Sequence, residues 1–333
     1  YLATFRNIIH FLFIYLRLIN NLRVQKKFLT DRFKSSLLKY ELANDGSLKE
    51  KDFNKIYGYY GLAVPAILGE AFAVLHGKRL NTNERMVLTS QGIVTGLFDD
   101  FIDDSNLTND YISNLVHHPD TVKPSNDNEK LWLEYYLQSL NMAKLSKENK
   151  DQAIKVMHDQ FDSKEQQNWG IEYERLWKIT QNKGGNSVLY FRFGIDKKPD
   201  LSEIKALFQL GVVMQLENDI FDIYKDLCSN VITIPNSITL ISDLRSLFKK
   251  QIELFIEYSF EMNFESKNVV RFLDMIMPVV NRGFVCIDQF EKLEKNNNGV
   301  FEPKKFSRKQ LICDMEKPVN LLRTFVYTYK NTY

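Results

Sequence analysis

The sequence predicts an all-α fold, a single helical domain over residues 1–333 with about ten or more helices around a central cavity. Three observations carry this. Apolar residues recur at helical spacing along most of the chain, and strand signals are nearly absent. The 24 Phe and 16 Tyr exceed what a core of this size needs, which suits a cavity lined by aromatic rings.

Taken in order, Ile8 to Leu22 is apolar but interrupted by His10, Arg17 and Asn20, too broken for a membrane span of about 20 residues. Two readings of residues 1–28 stay open: a packing helix, or an amphipathic helix resting on a membrane and admitting a lipid-like substrate. Further on, Leu131, Tyr135 and Leu140, then Ile154, Met157 and Phe161, then Leu247, Ile252, Phe255 and Ile256 mark helical faces. Breaks fall at Asn44-Asp45-Gly46, Asp104 to Asn109, Pro119 to Asn128, Asp196 to Ser202, Ser229 to Asn236 and Asn296 to Gly299. The β-branched run Val231-Ile232-Thr233-Ile234 stops at Pro235 and reads as a loop entering a helix.

Lys and Arg number 44 against 42 Asp and Glu, and the net charge of +2 argues against a general nucleic-acid binder. Cys228, Cys286 and Cys313 have no metal-ligand spacing and read as free thiols in a reducing compartment. The pair His117-His118, followed by Pro119, reads as part of a loop.

Two acidic clusters stand inside apolar helical stretches. In the first, Asp99 and Asp103 are four residues apart, as are Asp100 and Asp104, so all share a limited arc. In the second, Asn218, Asp222 and Asp226 follow at i, i+4 and i+8, with Asp219 beside them. Stacked carboxylates on a mostly buried segment repel one another and are costly to desolvate, so cations are expected to neutralise them. Oxygen ligands without His or Cys suit Mg²⁺, which completes its shell with water and substrate phosphates. A solvated acidic face is the plain alternative for either cluster alone; apolar flanks on both weaken it for the pair.

These residues resemble the motifs of class I isoprenoid (terpenoid) synthases. Asp99-Asp100-Phe101-Ile102-Asp103 is similar to the DDxxD motif of that superfamily. Gln215-Leu216-x-Asn218-x-x-x-Asp222-x-x-x-Asp226 resembles the second motif of squalene and phytoene synthases. Gln215-x-x-Asn218-Asp219-x-x-Asp222 is also similar to the second aspartate-rich motif of prenyl diphosphate synthases, and Asn218, Asp222 and Asp226 to a terpene synthase metal triad. The resemblance implies Mg²⁺, three ions per site with Mn²⁺ as a substitute, held by Asp99, Asp100, Asp103, Asn218, Asp219, Asp222 and Asp226. Lys183-Gly184-Gly185-Asn186-Ser187 resembles the Lys-Thr stretch that holds substrate diphosphate, and Arg192 and Arg175 are further diphosphate candidates. Gly77-Lys78-Arg79 continues as Leu80-Asn81, and Ser105-Asn106-Leu107 follows the first cluster. Both depart from the second-substrate site of chain-elongating enzymes, so condensation with isopentenyl diphosphate is not expected.

The leading expectation is a Mg²⁺-dependent terpene synthase that ionises a prenyl diphosphate and releases diphosphate with a cyclic or linear terpene. Phe72, Phe98, Phe101, Tyr60, Tyr190, Phe191 and Phe221 are candidate cavity-lining residues, though each alone reads first as plain core, as aromatics at helical spacing usually do. Asp104, Asp219 and Lys225 are supporting groups or exposed ones. One alternative is a head-to-head or other prenyl transferase. Another is a non-enzymatic helical protein binding divalent cations or partners through its acidic faces. The expected location is cytoplasmic, with peripheral membrane contact only under the second reading of the N-terminal helix, and a homodimer is the association the superfamily suggests.

Overall fold

Helix α1 (Leu2–Arg32) forms because Phe11, Ile14, Leu18, Asn21, Gln25 and Leu29 recur every three or four residues and make one buried stripe. The computed structural model of the chain describes residues 2–103 and 107–330, and for residues 2–8, 99, 100, 102, 103 and 330 the backbone alone. No strand occurs among the described residues, so the all-α prediction holds.

After α2 (Lys34–Leu42), a helical rod combines α3 (Glu50–Lys55), α4 (Gly61–Ala63) and α5 (Glu70–Leu75) through two π-helical stretches, Ile56–Tyr60 and Val64–Gly69. The rod is long and apolar enough to cross a membrane by composition, but 61% of its apolar window is buried inside the protein. Four helices follow: α6 (Thr82–Asp103), α7 (Asn109–His117), α8 (Asp127–Met142) and α9 (Ser146–Ser163). The next two, α10 (Tyr173–Arg192) and α11 (Leu201–Phe221), form the most extensively packed pair. The chain continues through α12 (Ile223–Cys228), α13 (Ile234–Ser237), α14 (Ile241–Glu261), α15 (Ser266–Val280), α16 (Arg282–Asn296), α17 (Arg308–Leu311) and α18 (Pro318–Lys330).

Among the described residues the sequence breaks fall at or between helix ends, and side chains cap α7, α8 and α11. Thr108 accepts from Tyr111 N (3.2 Å), Asn126 from Glu129 N (2.9 Å) and Asp200 from Glu203 N (2.9 Å). Val231 to Thr233 does enter a helix, with Thr233 and Asn236 forming the capping box of α13. The histidine pair differs from its loop reading: His117 closes α7, its Nδ1 2.9 Å from Ser113 O, and only His118 lies beyond.

Two hydrophobic clusters make up the core. One gathers buried residues of α2 and α6 to α9; the larger gathers those of α5, α10, α11 and α14 to α16. What brings α10 and α11 so close is glycine. A Cβ on Gly184 would collide with the Gly211 carbonyl and stand 2.6 Å from Gln215 Cβ, and a Cβ on Gly211 would collide with the Gly184 carbonyl. Gly185 admits the Phe208 ring in the same way. The Lys183-Gly184-Gly185 stretch is helical, inside α10. Its glycines serve a helix crossing.

Candidate functional site

The first acidic cluster ends α6. Helix α6 carries Asp99, Asp100 and Asp103 in its last turns; their side chains, and the whole of Asp104, lie outside the described residues. By register, Asp99 and Asp103 follow Thr95 at i+4 and i+8.

The second cluster spans a break. Helix α11 stops at Phe221, and Asp222 (φ −90°, ψ 7°) starts α12. Asp222 N still bonds Asn218 O at 2.9 Å and Asp226 N bonds Asp222 O at 2.8 Å, so the i, i+4, i+8 register survives. The three residues differ in environment: Asn218 is exposed, whereas Asp222 and Asp226 are half-buried. Asp219, beside the stripe, is buried and accepts from Gln215 Nε2 at 2.7 Å. Burial, with a smaller push from Asp222, lifts the Asp219 carboxyl to about 6, against Gln215 and Lys183. Burial, then Asp219 and Asp222, lifts Asp226 to about 7, against Lys225 and Lys183. Lys225 Nζ pairs with Asp222 at 3.3 Å on the outer side.

Lys183 reaches this group from α10. It is half-buried, acts on both Asp219 and Asp226, and forms no direct ion pair with a carboxylate among the described residues. Along α10 the positions i+4, i+7 and i+8 from it are Ser187, Tyr190 and Phe191, with Ser187 Oγ donating to Lys183 O at 2.6 Å. This stripe runs from the carboxylates into an apolar cavity. Ser187 closes the Lys183-Gly184-Gly185-Asn186-Ser187 stretch quoted from the sequence.

The cavity lies at the seam of the two hydrophobic clusters and has a volume of about 40 Å³, room for a few waters. Phe98, Trp132 and Tyr136 face Tyr190 and Phe191 across it; Ser187 and Gln160 supply polar edges, and Thr95 brings α6 to its wall. Of the aromatic candidates, Phe98, Tyr190 and Phe191 line this cavity. Phe101 packs behind them, its centroid 5.8 Å from Trp132. Phe72 is buried in the larger cluster, Tyr60 lies over Gly96, and Phe221 sits under the Arg282 guanidinium, 5.8 Å from it.

Neither arginine candidate joins Lys183. Arg192 is fully buried, with Nε 2.5 Å from Glu203 Oε1, and Nη2 3.1 Å from Glu203 Oε2 and 3.1 Å from His76 Nε2. Arg175 pairs at the surface with Glu165 (2.6 Å) and Asp162 (3.1 Å). Each is more than two helical turns from Lys183 along α10. Near the cavity the structure adds a polar group that sequence reasoning passed over. Asp159 Oδ2 accepts from Asn186 Nδ2 at 2.7 Å, and Gln152 Nε2 donates to Asn186 Oδ1 at 2.9 Å. Burial lifts Asp159 to about 6.

Among the described residues, no group of three or more His, Cys, Asp or Glu side chains is placed to hold a metal ion. The oxygen-only donor set nevertheless fits a hard cation, because in the second cluster the carboxylates repel one another and burial holds Asp219 and Asp226 high despite Lys183 and Lys225. A full shell needs donors beyond Asp222 and Asp226. Comparison of the chain with family models, with characterised proteins and with solved structures finds no match.

Proposed function

We propose that the protein is a Mg²⁺-dependent class I terpene synthase that ionises a prenyl diphosphate. The observation that carries this reading is the α10 stripe, on which Lys183 faces Asp219 and Asp226 while Tyr190 and Phe191 line an apolar cavity. A cation beside a carboxylate cluster at one end, and aromatic faces at the other, match the two halves of an allylic diphosphate.

In this reading Asp99, Asp100 and Asp103 hold the metal from α6, and Asn218, Asp222 and Asp226, with Asp219, hold it from α11 and α12. Bound Mg²⁺ would supply the positive charge that makes diphosphate a leaving group. Lys183 adds a fixed cation to the departing oxygens. Phe98, Tyr190 and Phe191 present π faces to the allyl cation and keep water from it. A prenyl chain exceeds the present cavity, so substrate entry requires these rings to move apart.

Incubation with geranyl, farnesyl and geranylgeranyl diphosphate and Mg²⁺ tests the proposal. Diphosphate release with a hydrocarbon or alcohol of unchanged carbon number is expected from at least one of them, lost in Asp222→Ala and Lys183→Ala. No release from any would sink it.

One observation favours a prenyl transferase as the second reading. The buried carboxylate next to Lys183 is Asp219, while Asn218 is exposed, and Asp219 belongs to the prenyl diphosphate synthase-like spacing Gln215-x-x-Asn218-Asp219-x-x-Asp222. A product with the summed carbon number of two substrates would decide for it.

A further inference from the structure

At the opposite end of α6 lie two adjoining cavities of about 440 and 260 Å³ that share Arg17 of α1 and Arg79 of the loop before α6. Arg271 of α15 lines the smaller cavity and Arg85 the larger. Four arginines thus converge from three helices and a loop. Among the described residues Arg85 alone of the four is paired with a carboxylate, Glu70, and it also donates to Gln25 Oε1 at 3.0 Å. Lys78, at the smaller cavity, is bound to Glu84. Arg17, Arg79 and Arg271 form no ion pair with a carboxylate among the described residues. The other nearby acid, Asp274, stands 3.1 Å from His10.

Such a cluster is electrostatically incomplete. Loss of solvent, then repulsion from Arg271 and Arg79, pulls the Arg17 guanidinium below its ordinary range, against Glu70 and Asp274. A separate observation points into the larger cavity. Asn21 lines it and is 9% exposed, and its buried Nδ2 donor has no hydrogen-bond partner among the described residues. A buried donor left unpaired is costly, and an anionic oxygen would satisfy it. Guanidinium groups with an amide donor suit a phosphoryl group, whose oxygens accept several charge-assisted bonds at once.

We propose that Arg17, Arg79, Arg271 and Asn21 form a second anion site, which binds a phosphate monoester or diphosphate group. This site is separate from the carboxylate cluster and independent of the proposed function. Arg79 and Asp99 stand near opposite ends of α6, which at about 1.5 Å per residue puts them roughly 30 Å apart. The Gly77-Lys78-Arg79 stretch therefore does not deliver its cations to the aspartates. The phosphoryl group could come from a soluble molecule or from a lipid headgroup, since exposed Leu12, Phe13, Leu16 and Ile19 share α1 with Arg17.

Binding is measured on the full chain in EDTA, where carboxylates without metal repel diphosphate. One arm titrates inorganic diphosphate calorimetrically; the other floats the protein with phosphatidylcholine vesicles, with or without phosphatidic acid. Arg79 and Arg271 are exposed and form no ion pair among the described residues, so the Arg79→Ala/Arg271→Ala double variant is expected to fold like wild type. The site predicts binding in at least one arm, weakened about ten-fold or more by the double variant and unchanged by Asp222→Asn. Binding of free diphosphate identifies a soluble ligand; binding only to phosphatidic acid vesicles identifies a headgroup. Absence of binding in both arms, or binding that the double variant keeps in full, overturns the proposal.

Discussion

Gly184 of α10 and Gly211 of α11 meet backbone to backbone, each leaving no room for a Cβ on the other. This contact sets how far Lys183, one residue before Gly184, stands from Asp219 and Asp226. Gly184→Ala must push the two helices apart or bend one. Overpacking of this kind costs about 1–3 kcal/mol, against a gain of under about 1 kcal/mol in helix propensity. The expected outcome is a net loss of stability in urea denaturation, with weaker diphosphate release from whichever prenyl substrate the wild type uses. Wild-type stability in the variant would show that the crossing is looser than described.

Arg192 and Glu203 make a different kind of pair. Both are buried, the carboxylate is held low by its His76 and Arg192 contacts despite burial, and no substrate group can reach between them. Removing one partner leaves an uncompensated buried charge. Arg192→Met should cost about 3–5 kcal/mol, and adding Glu203→Leu should restore much of it. A substrate-binding arginine would behave otherwise: the variant would keep its stability and raise KM. Denaturation of the single and double variants separates the two roles.

The comparison of Arg192 with Lys183 shows where sequence reading reached and where it stopped. Helical class was legible because period and composition are properties of single segments. The carboxylate spacing was legible for the same reason, since i, i+4 geometry survives even across the break at Asp222. Partners were not. Nothing near Arg192 in the chain shows that α11 will bring Glu203 to it. A glycine pair reads alike whether the chain turns or a second helix lies against it, and only Gly211 on α11 decides. Phe98 and Phe101 are equally aromatic, three residues apart on α6, yet one lines the cavity and the other packs behind it.

Asp159 offers a pH readout away from the proposed metal ligands. Burial raises its folded-state value from 3.8 to about 6, while Asn186 partly opposes this. A raised carboxyl binds its proton more tightly in the folded state, so stability is lost as pH rises from about 4 to about 6. Asn in its place can still accept from Asn186 Nδ2 and has no charge to bury. Asp159→Asn should therefore match wild type near pH 4 and exceed it at pH 7, by on the order of 2 kcal/mol. Chemical denaturation of both proteins across this range checks the sign, and equal pH profiles would refute it.

Asp226 carries the same sign of shift with a functional consequence. Its carboxyl is raised to about 7 by burial and then by Asp219 and Asp222. Above that pH the metal-free protein bears the full cost of ionising it, and below about pH 4 it bears none. At pH 8 in EDTA, Asp226→Asn should thus be more stable than wild type, by on the order of 2 kcal/mol. Adding Mg²⁺ with diphosphate should raise the wild-type melting temperature, because a ligand that binds only the folded state stabilises it by mass action. The variant should gain much less and release no diphosphate from prenyl substrates. A residue kept for stability would show the opposite order, with the variant melting below wild type in EDTA. A wild type whose melting temperature ignores Mg²⁺ and diphosphate together would mean that these carboxylates hold no metal-diphosphate ligand, and the proposed ionisation would lose its electrostatic basis.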